Sequence, residues 1–593
     1  MDRRLWSVVG AVIAAVLLLA ATASATPATT AGTRTAALVA APFAQSWAQV
    51  PRTAAARKAK DIVVIGEEQD PSGFNVNQAT QASAWAGYEV TPVIRGAYII
   101  TDQGEYRLDL ATSVTADRTK LDIKIRPDAN WNWGGKKSPV TGGDFKYTLD
   151  AYLDPKSEPA SNTGYINIDP SRTNLIGNKE VQFFWRTSCP AGTVAAGTCA
   201  VGAFADYRDL FGIVYPAKAV AGLDWNTLWS DCICGNDGKP ISDGPYILTN
   251  WTKGQGATET VNPFWYGKKP KVRELDWKFV ADTNTEIQAM RGGELDMIFP
   301  SPQTALGSLI NQPGLVYQTN RAYITEHLEI QVDGVHGNPL LKNAWMRQAI
   351  FLAINRVSLI KAIFSSYAPG VKPLNSFEYI LGKAAVSHFA KWSTSQKKAI
   401  ALLKAHGCTG GPAVPTRGNS NFFSCGGQQA SFRWYTTVGN SRRATSAAIF
   451  QQQLGAVGIK VSPQFFPGPA VLFGNLLPAG DFDIAEYAGV AGSPDPSNND
   501  SLFVSSGGQN YGHYQSAKVD ALIKAAATDF NPVTRQQKYE QIDSILSTDV
   551  PRIPLYTYPA ILVHKSALGG MEHSDASLST GPAWNAEEWF WKS

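Results

Sequence analysis

The sequence has almost no excess of either charge. Its 53 Lys and Arg residues are nearly balanced by 49 Asp and Glu residues, which leaves a net charge of +4 over 593 residues. A nucleic-acid-binding surface needs a dense basic patch, because phosphate contacts provide much of its affinity. The composition therefore argues against nucleic acid as a partner.

The common catalytic signatures are also missing. The chain contains no G-x-S-x-G, H-E-x-x-H or G-x-x-x-x-G-K-[ST] motif, and no G-x-G-x-x-G that opens a helix after a strand. Its seven His residues are scattered along the chain, so none stands in a recognisable metal-ligand or catalytic spacing. We therefore expect no enzyme, no catalytic residue, no metal site and no cofactor.

A long apolar run lies at the N-terminus. Arg3 and Arg4 precede apolar residues from about Val8 to about Ala21, and Ala23-Ser24-Ala25 follows. This order is typical of a secretory signal peptide, predicted here over residues 1–25. Residues 26–58 are rich in Ala and Thr and predict a flexible tether.

The predicted leader places the protein outside the cytoplasm, either in the medium or in a periplasm. No Cys follows the apolar run, so lipid attachment at this point is excluded. Membrane association through an uncleaved N-terminal segment stays open.

Cysteine is scarce, at six residues, but the number is even. In an exported protein this predicts disulfides. Cys408 and Cys425 stand alone in the second half of the chain, and we expect them to form a bond that stabilises the fold by about 3 kcal/mol. The other four allow three connectivities. We expect Cys232 and Cys234 to be too close to bond each other, so that each pairs with Cys189 or Cys199, with a four-thiolate zinc site as the alternative.

Strand patterns begin at Ile62–Ile65, which is continuously apolar. Further strands are predicted in "YRLDLATSV", "KLDIKIRPDANW" and "ELDWKFVAD", where apolar and polar residues alternate. Helix patterns are interleaved with these strands. Such alternation is typical of a mixed α/β architecture, and a chain of this length is expected to form roughly two to four domains.

Three helices have clear signals. "TGGDFKYTLDAYL" has apolar residues at helical spacing, and Thr141 or Asp144 can cap its start. "TNTEIQAMRGG" predicts a helix stopped by Gly292 and Gly293. "NAWMRQAIFLAINRVSLIKAIF" predicts one long amphipathic helix.

The segment "EYAGVAGSPDPSNND", residues 486–500, allows three interpretations. Asp495 and Asp500 could form an acid–base pair, but the sequence offers nothing that would separate their pKa values. A calcium loop would have to close on a Glu, which "DPSNND" lacks. Two prolines among Gly and Ala favour the third interpretation, a stiff turn in the wall of a pocket.

Five segments, in this order, resemble the extracellular solute-binding proteins of family 5, the dipeptide-, oligopeptide- and nickel-binding components of ABC importers. They are "WNWGGKKSPVTGGDFKYTLDAYLDP", "SDGPYILTNWTKGQGATETVNPFWYGKKPKVRELDWKF", "MRGGELDMI", "LLKNAWMRQAIFLAINRVSLI" and "DIAEYAGVAGSPDPSNNDSLFVSSGGQNYGHYQSAKVDALI". The resemblance extends from about Asp61 to about Ile561. The most telling pieces are "GPYILTNW", "MRQAIFLAIN" and "SPDP".

The resemblance implies an α/β fold, namely a bilobed clamp like a periplasmic binding protein of type II, of the large cluster with an extra subdomain. Lobe I would comprise residues 59–325 and the returning segment 559–593, and lobe II would comprise residues 326–558. Two hinge segments are expected near Ile324–Val332 and Tyr556–Val563. Closure of such a clamp on a ligand is driven by contacts that only the closed form makes.

The implied function is that of an extracytoplasmic substrate-binding component of an ABC importer. It would capture a peptide-like or other small solute as a monomer and deliver it to a membrane permease. Two alternatives stay open: an exported hydrolase that uses carboxylates in the cleft, and a receptor module that presents its ligand to a sensor.

The resemblance also implies a ligand-binding set, which departs from the family at three positions. Relatives typically carry a Trp and an amine-binding Asp where this chain has Gly489 and Gly492, and often a Glu where it has Arg95. We therefore expect a neutral or anionic cargo, such as a blocked peptide or an oligosaccharide, rather than a peptide with a free amine. The expected ligand-binding residues are Phe74, Asn75, Arg95, Tyr98, Trp434, Tyr487, Gly489, Val490, Gly492, Asp495 and Asn510.

Overall fold

A computed structural model of the protein describes residues 61–194, 198–378, 386–490, 493–572 and 581–592. The predicted signal peptide and the whole of the predicted tether lie outside this part of the chain. Within the described residues, no helix is both long and apolar enough to span a lipid bilayer.

The described residues form 24 strands, numbered here in chain order. They are β1 Ile62–Glu67, β2 Tyr98–Ile100, β3 Tyr106–Leu108, β4 Ala111–Ala116, β5 Lys120–Ile125, β6 Asn130–Trp133, β7 Lys136–Pro139, β8 Ile168–Ile176, β9 Glu180–Trp185, β10 Ile241–Ser242, β11 Tyr246–Thr252, β12 Gly256–Val261, β13 Glu274–Phe279, β14 Met297–Ile298, β15 Leu315–Ile330, β16 Thr409–Gly410, β17 Phe423–Cys425, β18 Gln428–Gln429, β19 Ser431–Thr437, β20 Lys460–Phe466, β21 Ile484–Val490, β22 Arg552–Lys565, β23 Leu568–Gly569 and β24 Phe590–Trp591.

Ten α-helices accompany these strands in the described part. They are α1 Ala84–Val90, α2 Gly142–Leu153, α3 Thr283–Gly292, α4 Ala344–Ala353, α5 Arg356–Phe364, α6 Gln396–Ala405, α7 Ser441–Ala456, α8 Asp500–Phe503, α9 Ala517–Ala526 and α10 Pro532–Asp549.

Ten of the strands form one large mixed sheet in the order β11-β12-β13-β1-β14-β22-β15-β21-β19-β20. The two longest strands, β15 and β22, lie at its centre and run antiparallel to each other. Nearly every residue of β22 is buried, which agrees with its continuous apolar run "ILV" and its central place. Smaller sheets, including β4-β5-β9-β8 and β10-β6-β7, are built from residues 111–242.

The pairing of β15 with β22 shifts register between Arg321 and Thr325. Before this bulge β15 adjoins only β22, and beyond it β15 also pairs with β21. We call the half of the sheet that contains β1 lobe I and the half that contains β21 lobe II. The predicted hinge segments lie in these two long strands, and the exact domain boundaries stay a prediction.

Several local predictions are confirmed. Helix α2 begins with a capping box, in which the backbone N–H and hydroxyl of Thr141 both donate to the carboxylate of Asp144. Helix α3 ends at Gly293, whose φ of 80° is in the left-handed region that favours Gly. Strand β1 is confirmed as a buried strand, since it pairs in parallel with β13.

Two local predictions are wrong. The predicted long amphipathic helix is two helices, α4 and α5, because Asn355 breaks it. The Asn355 side chain accepts a hydrogen bond from the backbone N–H of Ser358 and caps α5. The segment "YRLDLATSV" is two strands, because β3 pairs with β2 whereas β4 pairs with β5 in a different sheet.

The predicted Cys408–Cys425 disulfide is confirmed, with a Cα–Cα distance of 4.1 Å. The expected cross-pairing of the other four cysteines is wrong, because Cys189 bonds Cys199 and Cys232 bonds Cys234. The backbone N–H of Cys234 donates to the carbonyl of Cys232, and this tight turn places the two Cα atoms 5.3 Å apart, within bonding range. All six thiols are used, which leaves no four-thiolate zinc site.

The described residues contain two large hydrophobic cores. One includes Phe145 and Trp277 of lobe I, and the other includes Trp434 and Tyr539 of lobe II and extends to Ile298 of β14. Much of the aromatic content that could line a ligand cleft is therefore packed inside the lobes.

Candidate functional site

Parallel strands of both lobes end at the boundary between the lobes. Strands β1, β13 and β14 run in parallel toward lobe II, and β19, β20 and β21 run in parallel toward lobe I. Open α/β sheets commonly bind ligands beyond the carboxyl ends of such strands. The boundary between the lobes is therefore the first place to look for a site.

A polar contact joins the two lobes at this boundary, between residues 205–209 of lobe I and residues 493–498 of lobe II. We call this contact the seam. Ser493 Oγ donates to Asp209 Oδ2 at 2.6 Å, and Ser497 Oγ donates to Asp206 Oδ2. Tyr106 of lobe I completes the set, since its hydroxyl donates to Asp209 Oδ1.

Apolar contacts close the boundary on either side of the seam. Ile100, Tyr323 and Leu374 form a small buried cluster that brings the two lobes together. Tyr207 and Phe530 stack with their ring centroids 6.2 Å apart. With side chains bonded and packed across the boundary, the structure is the closed form of the clamp.

Asp495 forms a buried ion pair within lobe II. Arg535 of α10 donates to both of its carboxylate oxygens, at 2.5 and 2.7 Å, and both side chains are almost fully buried. Although burial opposes the charge, the hydrogen bonds and the charge of Arg535 lower the pKa of Asp495 to about 2. Asp495 also caps the short helix Pro496–Asn499 by accepting from the N–H of Ser497. Its role is to hold the loop of the seam in place.

The seam contains more carboxylates than cations. Asp206 and Asp209 of lobe I lie beside Asp495, with Arg535 as the counter-charge. Burial, with a contribution from the neighbouring carboxylates, raises the pKa of both Asp206 and Asp209. Asp206 Oδ1 is buried without a donor, and Asp206 is within hydrogen-bonding range of Asp495. A proton shared between these two carboxyl groups would satisfy both.

We expect the closed form to become more favourable as the pH falls. Opening of the lobes would expose Asp206 to water, so its pKa is higher in the closed form than in the open one. The closed form then binds the proton more tightly, and its advantage is lost as the pH rises through the raised pKa. The radius of gyration from small-angle scattering should therefore increase as the pH rises through the raised pKa of Asp206.

Asp206→Asn separates this effect from general acid sensitivity. Its amide can donate to Asp495 at any pH, so the variant should stay closed across the range. Asp231→Asn, at an exposed position of the same lobe, is the matched control and should keep the wild-type profile. Equal pH dependence in all three proteins would contradict a role for Asp206.

Lobe II has a second buried polar cluster beside β15. Glu326 accepts hydrogen bonds from Arg443 Nε at 2.7 Å and from the Tyr558 hydroxyl at 2.7 Å. Burial, and then the negative charge of Glu326, raise the pKa of Glu486 well above its ordinary value. Burial and the neighbouring carboxylate thus favour the neutral form of Glu486, which suits it poorly to bind an ammonium group.

On the opposite face of β15, Tyr487 donates from its hydroxyl to Glu329 at 2.8 Å, and Glu329 is ion-paired with Arg552. Gly489 lies next along this face, where an added Cβ would be 3.4 Å from Thr325 Oγ1. His327, whose pKa is lowered by burial and by Arg552, packs against the Tyr487 ring. Because Gly489 has no side chain, it leaves space on this face of the sheet near the boundary between the lobes.

Two of the predicted ligand-binding residues of lobe I lie in its core. Phe74 is fully buried against Trp251, and Asn75 is buried with its side chain bonded to the carbonyl of Trp225 and the hydroxyl of Tyr215. Their hydrogen bonds are satisfied inside the lobe, so the geometry favours a structural role for both.

Arg95 is also engaged within lobe I. Its guanidinium pairs with Glu587 at 3.1 Å and with Asp109 at 3.5 Å, and lies over the Trp265 ring. The arginine is 2% exposed. Its role in binding an anionic cargo stays a prediction. In the structure, the charge of Arg95 is already balanced by Glu587 and Asp109.

The remaining predicted residues divide between the boundary and the interior. Tyr98 contacts Tyr106 edge to face, next to the seam. Trp434 is buried in the core of lobe II, and Asn510 bonds the backbone of its own loop at Val504 and Tyr514. Val490 ends β21, where its side chain is not described, and Gly492 lies outside the described residues.

Sequence reasoning missed most of the seam. Asp206 and Asp209 are separated from Ser493 and Ser497 by more than 280 residues, and no motif surrounds them. Two acids in "DYRD" were the available signal, but solvated acids are common in loops. Arg535 sits in an ordinary helix pattern, so nothing marked it as the partner of Asp495.

Two cavities lie apart from the seam. One of about 440 Å³ is bounded by residues that include Asn355 and Gln453, and one of about 300 Å³ by residues that include Arg291 and Lys565. No residue of the seam lines either of them. We place the candidate site at the seam because the strand ends and the contacts between the lobes converge there.

Comparisons with known proteins agree with this architecture. Residues 105–511 match the family described as bacterial extracellular solute-binding proteins, family 5. The oligopeptide-binding protein AppA of Bacillus subtilis is 27% identical over 55% of this chain and 58% of its own length, which is less than two thirds of that protein. The oligopeptide-binding protein OppA of Mycobacterium tuberculosis is 22% identical over 84% of this chain and 80% of its own. The solved structure of a periplasmic EDTA-binding protein, EppA, superposes with a TM-score of 0.70 at 20% identity, covers 90% of this chain and 96% of its own, and supports the fold.

Proposed function

Because the chain belongs to family 5 of the bacterial extracellular solute-binding proteins, we propose that it captures a peptide-like solute between its two lobes and delivers it to the permease of an ABC importer. The chain is a substrate-binding component of such an importer, and its bilobed fold matches that role. The finer steps, namely the class of solute, the place where it binds and the docking of the closed form, are the proposal.

The observation that carries the proposal is the closed seam at the carboxyl ends of the parallel strands. Hydrogen bonds such as Ser493–Asp209 can form only when the lobes meet. A ligand held at the same boundary would contact both lobes in the closed form and one lobe in the open form. Its binding energy would therefore favour closure, which is how a clamp signals that it is loaded.

The charges at the seam support a solute that carries hydrogen-bond donors. Asp206 Oδ1 is an acceptor oxygen of the seam that no donor among the described residues occupies, while Arg535 is already paired with Asp495. Arg95, which had favoured an anionic cargo, is paired with Glu587. Peptides offer amide and amino N–H groups, and relatives of this chain are named as oligopeptide-binding proteins. These points favour a peptide-like solute over an oligosaccharide.

Native mass spectrometry of the freshly purified protein tests the proposal, because a closed clamp releases its ligand slowly. We expect a retained small molecule, which fragmentation would identify. Calorimetry with free and N-acetylated peptides then measures which groups matter. Absence of any bound solute, together with no heat from a broad peptide panel, would contradict the proposed class of cargo.

Closure itself gives the next prediction. Addition of the identified cargo to ligand-free protein should decrease the radius of gyration, since the lobes rotate together about β15 and β22. Small-angle scattering at rising cargo concentrations should follow the same saturation curve as calorimetry. An unchanged scattering profile at saturating cargo would contradict the clamp mechanism.

A hydrolase remains the alternative from another class. Burial raises the pKa of Asp500 to about 8 while that of Asp495 is about 2, a separation of the kind that acid–base pairs use. Both oxygens of Asp495 are held by Arg535, however, which leaves it badly placed as a base. Turnover of the bound solute that is lost in Asp495→Asn would support the hydrolase; intact cargo after prolonged incubation would support the binding protein.

A receptor module would bind the same cargo, and co-purification with a sensor rather than a permease would identify it.

A further inference from the structure

Two histidines and an aspartate meet on the surface of lobe II, away from the seam. Asp333 and His336 follow the end of β15, and His513 lies in the loop before α9. His336 Nδ1 is 2.5 Å from Asp333 Oδ2, and His513 Nδ1 is 2.9 Å from the same oxygen. One ligand atom from each of the three residues can be chosen so that all lie within 4.8 Å of one another.

The fold holds these side chains together from two separate segments. Asp333 Oδ1 accepts from the backbone N–H groups of Val335 and His336, which leaves Oδ2 directed at the two rings. Gly480 makes room for both rings, since an added Cβ there would be 2.7 Å from His513 Cε1 and 3.3 Å from His336 Cβ. His513 itself has a φ of 55°, a left-handed conformation that is costly outside Gly and needs support from its surroundings.

We propose that Asp333, His336 and His513 form a binding site for a divalent transition-metal ion, with Zn²⁺ or Ni²⁺ as the best match. Two imidazole nitrogens and one carboxylate oxygen are the donor set that such borderline ions prefer, and they suit neither Ca²⁺ nor Mg²⁺. A single ion at this place would join the segment after β15 to a loop about 180 residues further along the chain.

The cluster has to adjust its spacing to accept the ion, since its ligand atoms lie within 4.8 Å of one another. With metal–ligand distances of about 2.0–2.1 Å, tetrahedral ligand atoms lie about 3.3 Å apart. The two Nδ1–Oδ2 distances therefore have to widen by less than about 1 Å. In the metal-free form each Nδ1 needs a hydrogen to bond Oδ2, and the ion would replace these hydrogens. The three side chains are 18–48% exposed, so water can reach the site and complete the coordination.

This site is separate from the seam. The lobes meet near Thr325, in the middle of β15, whereas Asp333 lies beyond the other end of that strand. The five residue-to-residue steps from Thr325 to Ile330 span about 17 Å of strand. The metal would therefore stabilise lobe II, and cargo binding at the seam would not require it.

The test uses the full-length exported protein, with any histidine tag removed and bound metal extracted by a chelator. Titration with ZnCl2 by calorimetry should give one tight site per chain. His336→Ala and His513→Ala should each weaken it at least about tenfold, the loss that removal of even an outer-shell partner causes. Binding should also weaken as the pH falls, because protons compete for the imidazoles.

His406→Ala is the matched control, since His406 is an exposed histidine of the same lobe that stacks on Trp345 and is no part of the cluster. It should bind zinc like the wild-type protein. Zinc should raise the melting temperature of the wild-type and His406→Ala proteins but not of His513→Ala. Circular dichroism of the metal-free variants checks that they fold.

A wild-type protein without a tight zinc site would overturn the proposal. So would zinc binding that both His336→Ala and His513→Ala keep at full affinity, because the ion would then be held elsewhere, for example as a chelate at the seam. Zinc binding that is lost in both variants while cargo still binds would support it.

Discussion

Replacement of Arg535 with alanine is expected to lower the free energy of unfolding by about 3–5 kcal/mol. The substitution leaves the buried carboxylate of Asp495 without its two hydrogen bonds, next to Asp206 and Asp209. The loop of the seam would also lose the interaction that fixes it to α10. Urea unfolding, followed by tryptophan fluorescence and calorimetry, measures the loss.

A double variant and a control make this prediction specific. Arg535→Ala with Asp495→Asn should recover part of the loss, because the amide carries no charge that needs a partner. Lys538 lies three residues further along α10 and pairs with Asp529 near the surface, with its side chain 25% exposed. Lys538→Ala should cost no more than about 1 kcal/mol. Equal losses in Arg535→Ala and Lys538→Ala would contradict the structural role of the buried pair.

The same pair predicts an acid limit to stability. The pKa of Asp495 is lowered from 3.8 to about 2 in the folded protein, so its contribution is present above the unfolded value. It is lost as the pH falls from that value through the folded pKa. Arg535→Ala should therefore be destabilised relative to the wild type at neutral pH, and the difference should shrink toward about pH 2.

Removal of the Cys408–Cys425 disulfide should be the second large effect, at about 3 kcal/mol. The bond closes a loop with a sequence separation of 17, and the unfolded chain gains the entropy of that loop when the bond is absent. Both cysteines are buried, so the double variant Cys408→Ala/Cys425→Ala avoids a new polar group in the core. Denaturant unfolding under non-reducing conditions measures the loss.

The Cys232–Cys234 bond provides the internal control. Its sequence separation is 2, so the same chain-entropy argument gives only about 1.6 kcal/mol for Cys232→Ala/Cys234→Ala. The ratio of the two losses in free energy of unfolding, one for each double variant, tests the chain-entropy argument better than either loss alone. A larger loss at the short loop than at the long one would contradict the entropic account. Peptide mapping without reductant should recover all three bonds.

The fold could be predicted from the sequence to a large extent. The apolar run of β1, the capping box at Thr141 and the stop at Gly293 are each encoded within a few residues of chain. The order of five segments then gave the bilobed clamp and the family. The local errors arose where a tertiary contact overrode a regular pattern, as at Asn355, whose backbone N–H bonds to Gln453 nearly a hundred residues away.

The site could be predicted only in part. The sequence predicts that the segment around Asp495 forms part of a pocket wall; the segment lies at the boundary between the lobes, and its role as a wall stays a prediction. Its charge state could not be read from the sequence, since Arg535 lies 40 residues away in a helix with no distinctive pattern. The environment of Arg95 could not be read from the sequence either. This residue departs from the family pattern, and its charge is balanced by an ion pair with Glu587 of the C-terminal segment.

The sequence by itself determined what depends on neighbours along the chain, namely most of the helices and strands, the Cys408–Cys425 bond and the family. The tertiary structure alone decided which polar and charged groups meet, namely Asp206 with Ser497, Asp495 with Arg535, and His513 with Asp333. The physical reason is the sequence separation over which each effect acts. Periodicity and capping involve residues a few positions apart, whereas the charge of a carboxylate depends on its burial and on partners that only folding brings near.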